Sequence, residues 1–492
     1  TFKDEAGSTF TPIFVSQSGG VAVSPFIFEN GPDDTEFWLF DPFVFFYKAL
    51  HLENRPIIDT TTESGRRILT AHIDGDGFVS RAEQPGTPQG GEVILDQILR
   101  KYRIPHTVSV IEAEVSQDGI YPAESAEALA TARRIFREPN VEVASHTYGH
   151  PFFWQIMEGG FAPDEDQTEY GYTMDIPGYE PSLEREIPGS VAFVNQLAPP
   201  GKPVEVFLWS GDARPGEKAL SMVRELGLHN VNGGNTRPLP HGSQLAEVWP
   251  DGRPVGDELQ VYAPVMNENV YTDLWTGPFY GYRNARYSFD LLEKPYRLKP
   301  MGIYYHFYSG TKPEALKALN EVYQHALSSP HTPLPLSTYA RRVQSRYYGV
   351  MMFDGSGAYR WRGLEVPRTV RVPQGRYPDL NKSRGVYGYA DTNGQRYVHL
   401  TGHGSSLVLS DQAPEGPYLR SANGPVTDWQ RTAGHDGHWR IRLSAKGHVP
   451  LELQFAGASS CRIESGPKFQ RRSATAFELK ASSVTDLVVE CF

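Results

Sequence analysis

The segment "HIDGDGFVSRAE", His72 to Glu83, sets Asp74 and Asp76 two residues apart with glycines at 75 and 77. Two chemistries use such a pattern. Laid on the twelve-residue calcium loop of an EF-hand, Asp74, Asp76, Gly77, Ser80 and Glu83 fall at the third, fifth, sixth, ninth and last positions. Position one, which needs an oxygen ligand, is His72, and the residues before it read as a strand instead of the incoming helix. The other chemistry is a catalytic metal site. In extended backbone, residues two apart point to the same side, so Asp74 and Asp76 form a carboxylate pair at a strand end, and the glycines let the chain turn there.

A second segment, "SHTYGH", carries His146 and His150 four apart, beginning where the strand-like "VEVAS" runs out. One helical turn puts both imidazoles on one side, a spacing suited to zinc. Two histidines, a carboxylate and water in an open position form a standard catalytic metal set. In "WSGDARPG", Arg214 offers a cation to hold Asp74 ionised, with a surface salt bridge as the plainer reading. In "IYYHFYSG", His306 is a candidate general acid, with a hydrogen-bonded core histidine as the alternative. Tyr148, Trp154, Trp209 and Trp275 are candidate platforms for sugar rings, or core residues.

The elements that must position these groups alternate from Arg67 to about Arg346. "RILTAHID", "HTVSVIEA", "VEVASH", "PVEVFLW" and "GIYYHFY" read as buried strands. "GEVILDQILRKY", "AESAEALATARRIF", "GEKALSMVRELG" and "PEALKALNEVYQHAL" read as helices. Such alternation predicts βα units and a parallel sheet, open or closed as a barrel, whose strand ends at the carboxyl side gather an active site. "SSPHTPLPLS" reads as a loop into one last helix. Residues 1–66 are aromatic and loop-rich, a lead-in expected to rest on the next domain. From 347 to 492, short alternating segments such as "RYVHLTG", "SLVLSD" and "HWRIRLSA" predict an antiparallel β-sandwich that could bind carbohydrate. Residues 341–385 hold ten Arg or Lys against three Asp or Glu, a solvated face or an anion- or partner-binding patch.

The whole chain of 492 residues has room for about three domains and carries a net charge of −11, which disfavours generic nucleic-acid binding. No long apolar run predicts membrane insertion, and no signal peptide or initiator Met is present, as in a processed chain or a piece of a longer protein. Cys461 and Cys491 form a disulfide suited to an oxidising compartment, or two buried thiols.

The motifs "HIDGDG", "SHTYGH", "ARPG" and "YYHFY", in this order, resemble those of the NodB-like polysaccharide deacetylases, carbohydrate esterase family four and its relatives. The likeness covers about residues 67–346 and is strongest to periplasmic members that modify exopolysaccharides of biofilms. It implies a distorted (β/α) barrel holding one divalent metal, zinc, and N-deacetylation of an N-acetylhexosamine polymer. By this resemblance Asp74 is the base, Asp76, His146 and His150 are metal ligands, Arg214 matches the arginine of the third motif, and His306 is the late histidine. Gly75 departs from the family, whose two Asp are adjacent. The fourth motif, which orients the acid, has no clear match; Asp273 in "NVYTDLW" is the candidate. The resemblance implies a polysaccharide substrate, periplasmic location and work beside other exopolysaccharide secretion components. The competing reading is a non-catalytic polysaccharide-binding protein with a structural metal.

Overall fold

The computed structural model describes residues 2–3, 5–31, 36–52, 55–160, 172–240, 245–434 and 437–492. The apolar runs form the strands that matter for the site: β1 (Arg66–Asp74), β2 (His106–Val108), β3 (Val141–Ser145), β4 (Val204–Leu208), β5 (His229–Val231) and β6 (Met301–His306). They lie side by side in the order β5-β4-β3-β2-β1-β6, every pairing parallel. Their side chains are mostly buried on both faces, as in parallel sheets covered by crossover helices.

The sheet is curled. Four strand spacings separate β5 from β1, about 19 Å if flat, yet Asn232, just after β5, hydrogen-bonds Asp74 at the end of β1 at 3.2 Å. Among the described residues β5 and β6 do not pair with each other. The sheet is therefore a half-barrel: the parallel βα arrangement is as expected, and the closure of a distorted (β/α) barrel is not seen among the described residues. Strand β5 is too short and polar ("HNV") to have stood out in the sequence.

The helices Ser125–Arg137, Glu217–Glu225 and Pro313–Ser328 turn apolar stripes to the sheet; Ala128, Ala132, Ile135 and Phe136 lie on the first. Two expectations shift locally. "HTVSVIEA" is strand only to Val108, after which Glu112–Val115 makes a single helical turn. The proline-punctuated loop contains β7 (His331–Pro333), parallel to the start of β1, before the last helix, Leu336–Tyr348.

Beyond Tyr348 the chain forms antiparallel sheets. Where one sandwich was expected, two apolar clusters form, one around Val370, Val398, Leu400 and Leu407, the other around Ile441, Leu443, Phe455 and Leu487. Ile57–Asp59, from the lead-in, pairs with Thr369–Val372 of the first. Buried ion pairs tie the regions together. Glu63 meets Arg342 of the last helix at 2.9 Å and Arg368 at 3.2 Å, while Asp251 meets Lys299 at 2.8 Å and Arg346 at 3.0 Å. Cys461 and Cys491 face each other on paired strands and are joined as a disulfide. Among the described residues no helix is long and apolar enough to cross a membrane.

Candidate metal centre

Five parallel strands deliver a polar side chain at or just past their carboxyl ends: Asp74 from β1, His146 from β3, Trp209 from β4, Asn232 from β5 and His306 from β6. All but Asn232, which is buried behind Asp74, line one cavity of about 490 Å³, joined by Asp76, His150, Tyr304 and Tyr308. β1 runs straight into Asp74, with no helix before it, which excludes an EF-hand.

Asp76, His146 and His150 form a cluster whose donor atoms all lie within 4.8 Å of one another. Asp76 Oδ2 is 3.3 Å from His146 Nε2, and Oδ1 is 3.2 Å from His150 Nε2. His146 Nδ1 donates to the Leu208 carbonyl at 3.0 Å, which fixes the ring and leaves the Nε2 lone pair for a cation. Asp76 Oδ2 is buried with no hydrogen-bond partner, a costly state for a carboxylate oxygen unless a cation completes it. Two nitrogens and one oxygen are a donor set that zinc accepts. Burial alone would raise the Asp76 carboxyl, but the charges of His150 and His306 beside it outweigh that and hold it well below its usual range. Burial likewise opposes charge on His146, and Asp74 and Asp76 outweigh it to raise that imidazole.

Asp74 stands beside this cluster, Oδ2 lying 3.7 Å from His146 Nε2. The Tyr304 hydroxyl donates to Oδ2 at 2.6 Å, and Asn232 Nδ2 donates to both oxygens at 3.2 and 3.1 Å. Asn232 is itself oriented: its Nδ2 also donates to the Trp209 carbonyl, and its Oδ1 faces His72 Nε2 at 3.1 Å. Burial pushes His72 down to about 4, so the ring is neutral and donates to Asn232 while stacking on Tyr304, centroids 4.0 Å apart.

His306 Nε2 points into the same space, 3.8 Å from Asp74 and 3.9 Å from Asp76. Its Nδ1 donates to Glu268 Oε2 at 2.9 Å, and its backbone N–H donates to Glu268 Oε1 at 2.8 Å. The Tyr308 hydroxyl, 2.8 Å from the same ring nitrogen, donates to Asn269 Oδ1. Burial would discharge the imidazole, yet Glu268, then Asp76 and Asp74, outweigh it and push His306 up to about 10.

The histidine turn is strained and clamped. Thr147 and His150 have φ of 74° and 55°, left-handed backbone that non-glycine residues avoid. Tyr148 N and Gly149 N both donate to Glu186 Oε2, at 2.8 and 2.9 Å, and Tyr179 donates to its Oε1 at 2.6 Å.

Not every candidate reaches the site. Arg214 is exposed and does not meet Asp74; its charge acts on Asp212 and Tyr262, and Asn232 with Tyr304 takes the place assigned to it. Asp273 is exposed, and Glu268 orients His306 in its stead. Trp154 is fully buried against Trp209 and donates to the Ser210 carbonyl, so it is core. Tyr148 is covered by Arg185, 3.6 Å from its ring, and lies off the cavity wall. Trp209 and Trp275 do line the cavity. Four residues went unread: Asn232, Glu186, Glu268 and Tyr304. Only Tyr304 had a signal, its spacing of two from His306 on one strand.

No protein-family model matches the chain, and none of the curated proteins does. Among solved structures, the 4-alpha-glucanotransferase of Thermococcus litoralis aligns at 13% identity over 56% of this chain and 40% of that one, with a TM-score of 0.36. A probable polysaccharide deacetylase from Pseudomonas aeruginosa PAO1 aligns at 15% identity over 56% of this chain and 90% of that one, TM-score 0.34. The chain thus spans less than half the length of the first. Both scores fall below the level at which a shared fold is established.

Proposed function

We propose that the protein is a metal-dependent N-deacetylase acting on N-acetylhexosamine residues of a polysaccharide, with zinc as its metal. The observation that carries this reading is the meeting, in one cavity, of the Asp76–His146–His150 cluster with a second carboxylate and a cationic imidazole. When bound, such a cation supplies Lewis acidity toward the acetamide carbonyl and the attacking water. Asp76, His146 and His150 hold it. Asp74, fixed by Tyr304 and Asn232, takes the proton of that water. His306, kept charged by Glu268, gives its Nε2 proton to the departing amine. Trp275 walls the sugar. It follows Asp273 and Leu274 in a turn of three left-handed residues, φ 49°, 51° and 65°, a strain of the kind that collects at ligand clamps.

A non-catalytic polysaccharide binder with a structural metal has no use for the Glu268–His306 couple. The string "HIDGDGFVSRAE" with "SHTYGHPFFW" resembles the deacetylase region of the Pel exopolysaccharide protein PelA. On that resemblance the substrate is a Pel-like, N-acetylgalactosamine-rich biofilm polymer, the compartment is the periplasm, and other exopolysaccharide secretion components are partners. The Cys461–Cys491 disulfide supports an oxidising compartment. The test is release of acetate from partly acetylated galactosamine or glucosamine polymer. Metal-dependent release that drops at least a hundredfold in Asp74→Asn is expected; no release with metal present, or full activity in Asp74→Asn, overturns the proposal.

A further inference from the structure

Away from the metal centre, a cleft of about 650 Å³ opens between the helix Pro42–Ala49, the loop at Tyr296 and the strand Thr369–Val372. Its walls share no residue with the catalytic cavity, and its size suits a small ligand or a few units of a polymer. Phe43 and Tyr296 meet edge to face with ring centroids 5.2 Å apart. The Arg371 guanidinium lies 4.4 Å from the Tyr296 ring centroid, and Arg55, Arg376 and Gln395 complete the polar wall. Arg371 Nε lies 3.6 Å from Asp59 Oδ2 and Arg376 Nε 3.3 Å from Asp411 Oδ1, so both guanidiniums are anchored at Nε by carboxylates that lie outside the cleft wall. The carboxylate in the wall, Asp41, is occupied, accepting Phe43 N and Val44 N as a helix cap. The basic stretch 341–385 supplies Arg371 and Arg376, so that part of it lines a cleft and is not merely a solvated face.

Flat aromatic faces beside planar N–H forks match a pyranose ring. The C–H face of the sugar lies on the ring, and neighbouring hydroxyl or acetamide oxygens accept paired N–H donors. An ammonium group on the sugar would instead face guanidiniums, a like-charge approach that disfavours binding. We propose that this cleft is a second saccharide-binding site, selective for N-acetylated over de-N-acetylated residues. The inference rests on the polysaccharide reading above and deepens it. The chain holds unprocessed polymer here and releases processed polymer, because each acetyl group removed uncovers an amine that takes a proton.

The test is calorimetric titration of the full chain carrying Asp74→Asn, which stops turnover, with a short N-acetylhexosamine oligosaccharide and with its fully de-N-acetylated counterpart at mildly acidic pH. The same titrations are run with Phe43→Ala or Arg55→Glu added. The acetylated ligand is expected to show two binding events, one of them weakened about tenfold by either cleft substitution while the other persists and reports a folded protein. The charged ligand is expected to bind the cleft at least tenfold more weakly. A single event untouched by both substitutions, equal affinity for the two ligands at the cleft, or no binding of the acetylated ligand overturns the proposal. Acetate release by the chain with Asp74 intact separates the two readings. Release without cleft binding removes the second site alone, and cleft binding without release removes the deacetylase alone.

Discussion

Glu186 is the residue whose replacement bears most directly on how the histidine turn is held. In Glu186→Ala the N–H groups of Tyr148 and Gly149 and the hydroxyl of Tyr179 lose their acceptor. Each buried donor left unsatisfied costs about 1–3 kcal/mol, so two backbone donors alone amount to about 2–6 kcal/mol. The turn has a way to relax, because Thr147 and His150 sit in left-handed backbone that the clamp holds. Relaxation swings His150 Nε2 away from Asp76, now 3.2 Å distant. Loss of such outer support weakens metal binding by about 10- to 100-fold. The assay is competition for zinc against a chromogenic chelator, with circular dichroism to show that the variant is folded. Glu186→Gln keeps an acceptor oxygen for both N–H groups and should restore affinity to within about threefold, an outcome a general loss of packing would not produce. A folded Glu186→Ala that binds zinc as tightly as the parent refutes the clamp.

Two other substitutions follow the buried charges. Glu268→Gln keeps an acceptor for the backbone N–H of His306 but removes the carboxylate that does most to push that imidazole up to about 10; a cation in the cluster cancels part of Asp76's pull but leaves that of Glu268. The basic limb of the pH–kcat profile should therefore move down by more than about one pH unit toward the ordinary histidine value, and an unmoved limb contradicts His306 as the acid. Glu63 is held below its ordinary 4.5, with burial opposed and outweighed by Arg342 and Arg368. A depressed folded-state value means that its stabilisation is complete above about pH 4.5 and is lost as pH falls through the folded value. Glu63→Gln leaves two buried guanidiniums unpaired, costing about 3–5 kcal/mol at neutral pH in denaturant unfolding and flattening the acid-side decline; an unchanged midpoint refutes it.

What could be read from the chain was what lies close along it. Asp74 and Asp76 announce themselves by their spacing, His146 and His150 by theirs, and His306 by ending an apolar strand. The groups that hold these side chains were not legible, because each arrives from far away. Glu268 reaches back 38 residues from His306, Glu186 stands 37 and 38 residues from Gly149 and Tyr148, and Asn232 meets Asp74 only because the sheet curls. In sequence they are an ordinary polar residue at a helix start, a helical glutamate and an asparagine just past a three-residue strand. Arg214 failed for the complementary reason, since a motif fixes where a residue sits along the chain and not where its side chain points. The half-barrel was readable as alternating strands and helices, but its openness depends on which edges pair, a non-local property. The turn chemistry after Tyr348 marked antiparallel strands without showing that they enclose two apolar clusters.

The most direct test of the account is metal content by elemental analysis of the purified chain, alone and with Asp76→Ala, His146→Ala or His150→Ala. About one zinc per parent chain is expected, lost in each of the three variants and kept in Asp74→Asn. Zinc retained in all three variants, or calcium as the sole bound ion, contradicts it.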